Sequence, residues 1–361
     1  MRLCTLSTGD IAYRYYKSIV ILFDEPRKVL STSVYNGGYR EGLTAVFNHD
    51  CNPGAGMACE LRAPTYEEHM RLVAEEIGLD ADTVSGMATA ASMDNAAVHS
   101  ESYASLTVTA LVTGGVEVNG GRAGDPAAYF HPVEKSSLEK PGTINIILVI
   151  DSDMPPGTLA RTLVTCTEAK TAALQELMAG SNYSNGLATG SGTDQTMIIA
   201  NPRSSLYLES AGKHSKLGEL IGCVVKKAVK TALKRQSGLS PEKQHSVLRR
   251  IKRFGVTEET IWQEYKTGHG ETSVKAKFLE QLYAIDQESQ FITHTSLYVH
   301  LLDQFLWGLL SPEEVRAGAN DMLRLAAGNS GARCPVVDKP DLESFLAAWK
   351  RLLLNLMESK E

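Results

Sequence analysis

The chain has 361 residues, 43% hydrophobic and 22% charged, with a formal net charge of −6 and a pI near 5.9. That length exceeds one small domain and suits two, and the mixture is that of an ordinary globular protein rather than a disordered, collagenous or membrane chain. The acidic balance argues against a nucleic-acid partner, since the one short basic run (Arg249, Arg250, Lys252, Arg253) reads as a solvated helix face.

The N-terminus, MRLCTLSTGDIAYRYY, lacks the apolar core of a signal peptide. The longest apolar run, around residues 146–150, is too short to span a bilayer. A cytoplasmic protein with no membrane partner is expected. Residues 2–6, 11–22 and 29–34 read as extended. Asn36-Gly37-Gly38 then signals a hairpin into residues 43–47. Residues 64–77 carry a helical pattern, 83–91 and 104–112 are strand-like, and TINIILVI at 143–150 is the clearest buried strand. Pro155 and Pro156 open a helix running to about Met178. A glycine-rich loop at 184–194 leads to strands at 196–200 and 205–209, then to a helix over about 215–236 with a wide apolar face.

The character changes at Ser237-Gly238-Leu239-Ser240-Pro241, a natural linker. Beyond it, helices are expected near 241–253, 257–266, 272–285, 291–310, 312–327 and 341–358. Ser311 caps and Pro312 opens one of them. No motif carrying chemistry is visible there. The expected organisation is a mixed-sheet α+β domain over 1–237, with α/β as the alternative class, followed by an all-α region over 240–361.

Four clusters are candidates for chemistry. Thr189-Gly190-Ser191-Gly192-Thr193-Asp194-Gln195 offers small residues for close ligand approach. Thr193 or Ser191 would serve as nucleophile and Asp194 as base, or the run is a strand-entry turn capped by Asp194. Lys170 falls within the apolar stripe of the helix after Pro156, so it must snorkel, find a buried acid or meet a ligand. Thr167 and Thr171 flank it, and Glu168 projects to the opposite side. Gly212-Lys213-His214-Ser215-Lys216 precedes a helix whose start suits an anionic oxygen, with Glu219 one turn in. Asn36 sits in a turn, and Asn48-His49-Asp50 ends a strand, where neighbours point to opposite faces. Asn145, inside a buried run, needs a hydrogen-bond partner. The scattered cysteines (4, 51, 59, 166, 223 and 334) form no CxxC pair, and no metal-ligand motif is present.

Read in order, GTINIILVIDSDMPPGTLARTLVTCTEAKTAAL, ATGSGTDQ and the Gly212-Lys213-His214-Ser215-Lys216 helix start resemble the adenosylcobinamide amidohydrolase (CbiZ) family. VLSTSVYNGG and AVFNHD are similar to its opening, and the resemblance spans roughly residues 10–236. It implies hydrolysis of the amide between a corrin propionate and aminopropanol in adenosylcobinamide, or in a related cobamide. The product would be adenosylcobyric acid, within corrinoid salvage or remodelling. It also implies a small-molecule corrinoid as partner and no cofactor beyond the cobalt that this substrate carries. Carried over by motif are Asn36, Asn145, Thr167, Glu168, Lys170, Thr171, Thr189, Thr193, Asp194, His214, Lys216 and Glu219; the amides of the Gly190, Ser191, Gly192 and Thr193 loop are our expected oxyanion cradle. The sequence departs from the pattern at Ser191, where threonine is typical, and at Lys213-His214-Ser215. In the expected mechanism Asp194 acts on water or Thr193, Lys170 or Lys216 stabilises the oxyanion, and His214 or Glu168 protonates the leaving amine. A non-catalytic corrinoid carrier or sensor, and a self-cleaving threonine-nucleophile amidase, are the alternatives. Homo-oligomerisation is left open.

Overall fold

A computed structural model describes residues 1–54, 61–127, 143–269 and 274–359, in two compact units, Met1–Ser240 and Pro241–Glu361. The first unit opens with an antiparallel meander of β1 (Arg2–Thr5), β2 (Ile11–Tyr15) and β3 (Ser18–Leu22). β4 (Lys28–Ser31) and β5 (Gly38–Glu41) form a separate hairpin, with Asn36 at φ 48° in its turn. β6 (Ala45–Asp50) pairs with β3 and, after the crossover helix α1 (Tyr66–Glu76), lies parallel to β7 (Val84–Thr89). The result is a five-stranded sheet in the order β1-β2-β3-β6-β7. The expected pairing of 29–34 with 43–47 is thereby corrected. The Asn36 turn returns the chain only as far as Gly38–Glu41, and the apolar 43–47 stretch is claimed by the other sheet.

The chain then builds β8 (Ala97–Tyr103), β9 (Leu106–Gly114), the short β10 (Gly120–Gly121), β11 (Ile144–Ile150), α2 (Pro156–Glu176), β12 (Gly190–Ser191), β13 (Gln195–Ala200) and α3 (Lys216–Ser237). A six-stranded sheet results, ordered β5-β4-β13-β11-β9-β8, in which only β11 and β13 run parallel. Residues 205–209 form no strand. They make one parallel bridge, Asp153↔Tyr207, closed by hydrogen bonds from the Asp153 amide to Leu206 O and from the Leu208 amide to Asp153 O.

Alternation along the strands sets the layers. Ile144, Ile146, Leu148 and Ile150 of β11 join Leu159, Cys166 and Leu174 of α2 and Ile221, Val225 and Val229 of α3 in one buried cluster. Ile147 and Val149 face the other way and meet Ile19, Ile21, Val46 and Met87 of the five-stranded sheet. On the far side of that sheet, Val20, Ala45 and Phe47 lie under Met70, Val73 and Ala74 of α1. The unit is thus α1, sheet, sheet, then α2 with α3, an α+β sandwich of four layers.

The second unit is helical: α4 (Val247–Ile251), a 3₁₀ turn (Lys252–Phe254), α5 (Glu258–His269), α6 (Lys275–Asp286), α7 (Ser289–Leu306), α8 (Pro312–Ala327) and α9 (Leu342–Glu358). The helix expected from residue 241 starts at Val247, because the Ser246 hydroxyl caps it there. Buried Trp349 stacks on Phe291 at 5.0 Å, and Arg253 and Asp303 form a buried ion pair at 2.6 Å. Among the described residues, no helix is long and apolar enough to cross a membrane.

Candidate active site

The parallel register sets Asn145 of β11 opposite Gln195 of β13, which brings Asp194 beside the first residue of β11. Asp194 Oδ1 accepts the Ile144 amide (2.8 Å) and the Ser191 hydroxyl (2.7 Å). Oδ2 accepts the Ser191 amide (3.0 Å) and is ion-paired with Lys170. Both side chains of the pair are nearly buried, 11% and 12% exposed, so the lysine in the apolar stripe has found a buried acid. Four donors on one carboxylate offset its desolvation and fix its orientation.

The loop is clamped from two sides. Thr171 Oγ1 donates to Thr189 O (3.1 Å), Thr189 Oγ1 accepts the Ala123 amide (2.9 Å), and β12 pairs with β10. Residue 190 must be glycine here, since an added Cβ would fall against Asp194 Oδ2 and within 2.7 Å of Lys170 Nζ. Gly192 meets no such crowding.

From this loop a polar chain runs inward between the sheets. Thr143 Oγ1 donates to Thr193 O (2.7 Å) and lies 3.2 Å from Asn145 Oδ1. Asn145 Nδ2 donates to Asn48 Oδ1 (2.8 Å) and Ala88 O (2.9 Å), and Asn48 Nδ2 donates to Thr113 Oγ1 (2.8 Å). All four polar side chains are buried. Tyr66 Oη accepts the Ala88 amide (2.9 Å) and donates to Gln195 Oε1 (3.2 Å). Burial pushes its phenol above the usual range.

The structure therefore gathers Asn145, Lys170, Thr171, Thr189, Gly190, Ser191, Thr193 and Asp194, with Gly192 in the same loop. It places the others elsewhere. Thr167 bonds back to Leu163 O of its own helix. Glu168 pairs with Lys213 at 2.8 Å on the surface, and the Lys213 cation holds its carboxyl below the usual range. Lys216 pairs with Glu219 one turn on (2.6 Å) and lies over the Tyr103 ring. His214 is exposed. Asn36 donates to Ala81 O and Val84 O, holding the entry to β7. These placements correct the expectation of one site joining Lys216, His214 or Glu168 to Asp194. The α3 helix start and the solvent side of α2 form a separate surface patch.

Tyr66, Thr113 and Thr143 escaped the sequence-based reading, and Gln195 and Asn48 entered it only as members of their clusters, with no role. Asn48 was singled out only for its neighbours, and its buried position in an apolar strand was the available signal. Among the described residues, no three His, Cys, Asp or Glu side chains stand close enough to hold a metal ion.

A nearly buried carboxylate that pairs with an ammonium and accepts a serine hydroxyl thus stands at the end of the mixed sheet. The chain belongs to the adenosylcobinamide amidohydrolase (CbiZ) family, whose model matches residues 4–241, as the motifs of 10–236 led us to expect. It is 34% identical over 233 residues to the uncharacterized protein MJ1613 of Methanocaldococcus jannaschii, covering 61% of this chain and 87% of that one. Among solved structures it is similar to the PH0078 protein of Pyrococcus horikoshii OT3 (TM-score 0.32, 13% identity, 66% of this chain and 85% of that one). It is also similar to the L-aminopeptidase D-Ala-esterase/amidase of Ochrobactrum anthropi (TM-score 0.30, 15% identity, 60% and 76%). Family membership makes this chain a hydrolase of the amide-cleaving class.

Proposed function

We propose that the protein cleaves the amide joining aminopropanol to a corrin propionate in adenosylcobinamide, releasing adenosylcobyric acid for salvage or remodelling in the cytoplasm. The observation that carries the mechanism is the contact of Ser191 Oγ with Asp194 Oδ1 at 2.7 Å, while Lys170 holds the other carboxylate oxygen. Among the described residues the hydroxyl that donates to Asp194 is that of Ser191, so this reading takes Ser191 rather than Thr193 as the nucleophile.

Ser191 Oγ attacks the amide carbon and its proton passes to Asp194. The loop amides cradle the oxyanion. The C–N bond breaks as Asp194 returns the proton to the leaving amine. Water then cleaves the acyl-serine, giving the carboxylic acid and restoring the hydroxyl.

The test is incubation with adenosylcobinamide and mass-spectrometric quantification of both products. Ser191→Ala is expected to lose about 10²–10⁴-fold in turnover, the usual range for a group that transfers a proton in the transition state. Ser191→Thr should retain activity. Near wild-type turnover in Ser191→Ala would remove Ser191 from the mechanism. Binding without release of aminopropanol by the wild type would make the protein a carrier. An intact mass split before Thr189 or Thr193 would instead support a self-cleaving threonine nucleophile.

A further inference from the structure

A cavity of about 710 Å³ opens on the outer face of the five-stranded sheet beside α1. Tyr16, Lys17, His49, Cys51, Arg62 and His69 contribute to its lining. The volume is that of a small-molecule site, and neither Ser191 nor Asp194 lines it.

Its two imidazoles differ in kind. His69 has both ring nitrogens engaged: Nδ1 accepts the Arg62 amide at 3.1 Å, and Nε2 lies 3.3 Å from Cys51 Sγ. His49 is held through Nδ1 alone, 2.8 Å from the hydroxyl of Ser18, its fully buried cross-strand partner. Its Nε2 has no protein partner among the described residues. Burial first, then the nearby Arg62, His69 and Lys17 charges, push the His49 pKa down to about 4, so at neutral pH the ring is uncharged. A neutral imidazole fixed by an outer hydrogen bond at one nitrogen, and open at the other, is a metal ligand awaiting a metal that arrives with its own remaining ligands.

A single imidazole cannot hold a free ion, but it can fill one vacant axial position of a metal already held in a macrocycle. We propose that this cavity receives one face of the corrinoid ring and that His49 Nε2 becomes an axial ligand of its cobalt. The inference rests on the corrinoid-amidase reading and adds a second anchor to it. Asn48 and His49 are consecutive on β6, whose side chains alternate. One enters the polar chain behind the Ser191 loop, and the other enters the cavity.

The experiment uses the full chain loaded with cob(II)inamide and electron paramagnetic resonance. An axial nitrogen splits the high-field cobalt lines into triplets, and ¹⁵N-histidine labelling of the wild type converts them to doublets with no substitution needed. We expect the triplets in wild type and in His69→Gln, and their loss in His49→Gln. Unsplit lines in the wild type, triplets unchanged by ¹⁵N-histidine, or triplets surviving in His49→Gln overturn the inference. Amide cleavage is followed in parallel with adenosylcobinamide on the same protein. Cleavage with unsplit lines sinks the axial ligand and leaves the amidase standing. Split lines without cleavage sink the amidase and leave the ligand. Failure to retain cobinamide at all removes both.

Discussion

Asn145 Nδ2 donates to Asn48 Oδ1 at 2.8 Å, from the central strand of one sheet to a strand of the other, across 97 residues of sequence. Removing Asn145 strands two buried acceptors, Asn48 Oδ1 and Ala88 O. Asn145→Ala should therefore destabilise the first unit by about 1–3 kcal/mol. Asn145→Asp should cost more, because a carboxylate would face the same two acceptors. Denaturant midpoints of the two variants check the order.

Lys170→Met leaves the Asp194 carboxylate buried without its cation, an expected loss of about 3–5 kcal/mol. Adding Asp194→Asn should recover part of that stability while turnover stays abolished. A double-mutant cycle on unfolding and on aminopropanol release separates the structural from the chemical share. If the double variant is no more stable than Lys170→Met, the pair is not the source of the loss.

Two glycines of one loop provide an internal contrast. Gly190→Ala forces a methyl between Asp194 and Lys170 and should cost about 1–3 kcal/mol, as overpacking does, together with most of the turnover. Gly192→Ala meets nothing within 4 Å and should leave turnover close to wild type. Parallel kinetics on the two variants test this.

His214→Ala and Glu168→Gln should each leave turnover nearly unchanged. The Glu168–Lys213 pair is exposed, where solvent screens the attraction. A hundredfold drop in either variant would return the α3 helix start to the active site.

Stability should fall in mild acid through His49. Above about pH 6.5 both the folded and unfolded rings are neutral. Below it the unfolded chain binds the proton first, so stability declines until the folded ring titrates near 4 and levels off beneath. This group gives a slope of at most about 1.4 kcal/mol per pH unit, and His69, also lowered chiefly by burial, acts in the same sense. Melting at pH 7 and pH 5 should show a smaller difference in His49→Gln than in wild type.

Local signals carried the elements that depend on local physics. Ser311 and Pro312 marked the start of α8, the run at 143–150 gave β11, and the lysine in an apolar stripe called for snorkelling, a buried acid or a ligand, of which the acid is present. β8 was missed because it is an edge strand whose exposed polar residues dilute the alternation. The 43–47 pairing was misread because a turn specifies where the chain reverses, not which strand it then meets. Asn48 stood out only as a polar residue in an apolar strand, and its partners could not be read because Asn145 lies 97 and Thr113 65 residues away. Glu168 and His214 entered by motif, and only side-chain placement removes them from the Ser191 loop.

β13 lies between β4 and β11, so residues 28–31 wait for a partner that emerges some 170 residues later. During synthesis the sheet stays open until residue 200 has been made, and the same strand brings Asp194 into place. The order of translation thus leaves the Ser191 loop without its supporting strand until β13 has been made.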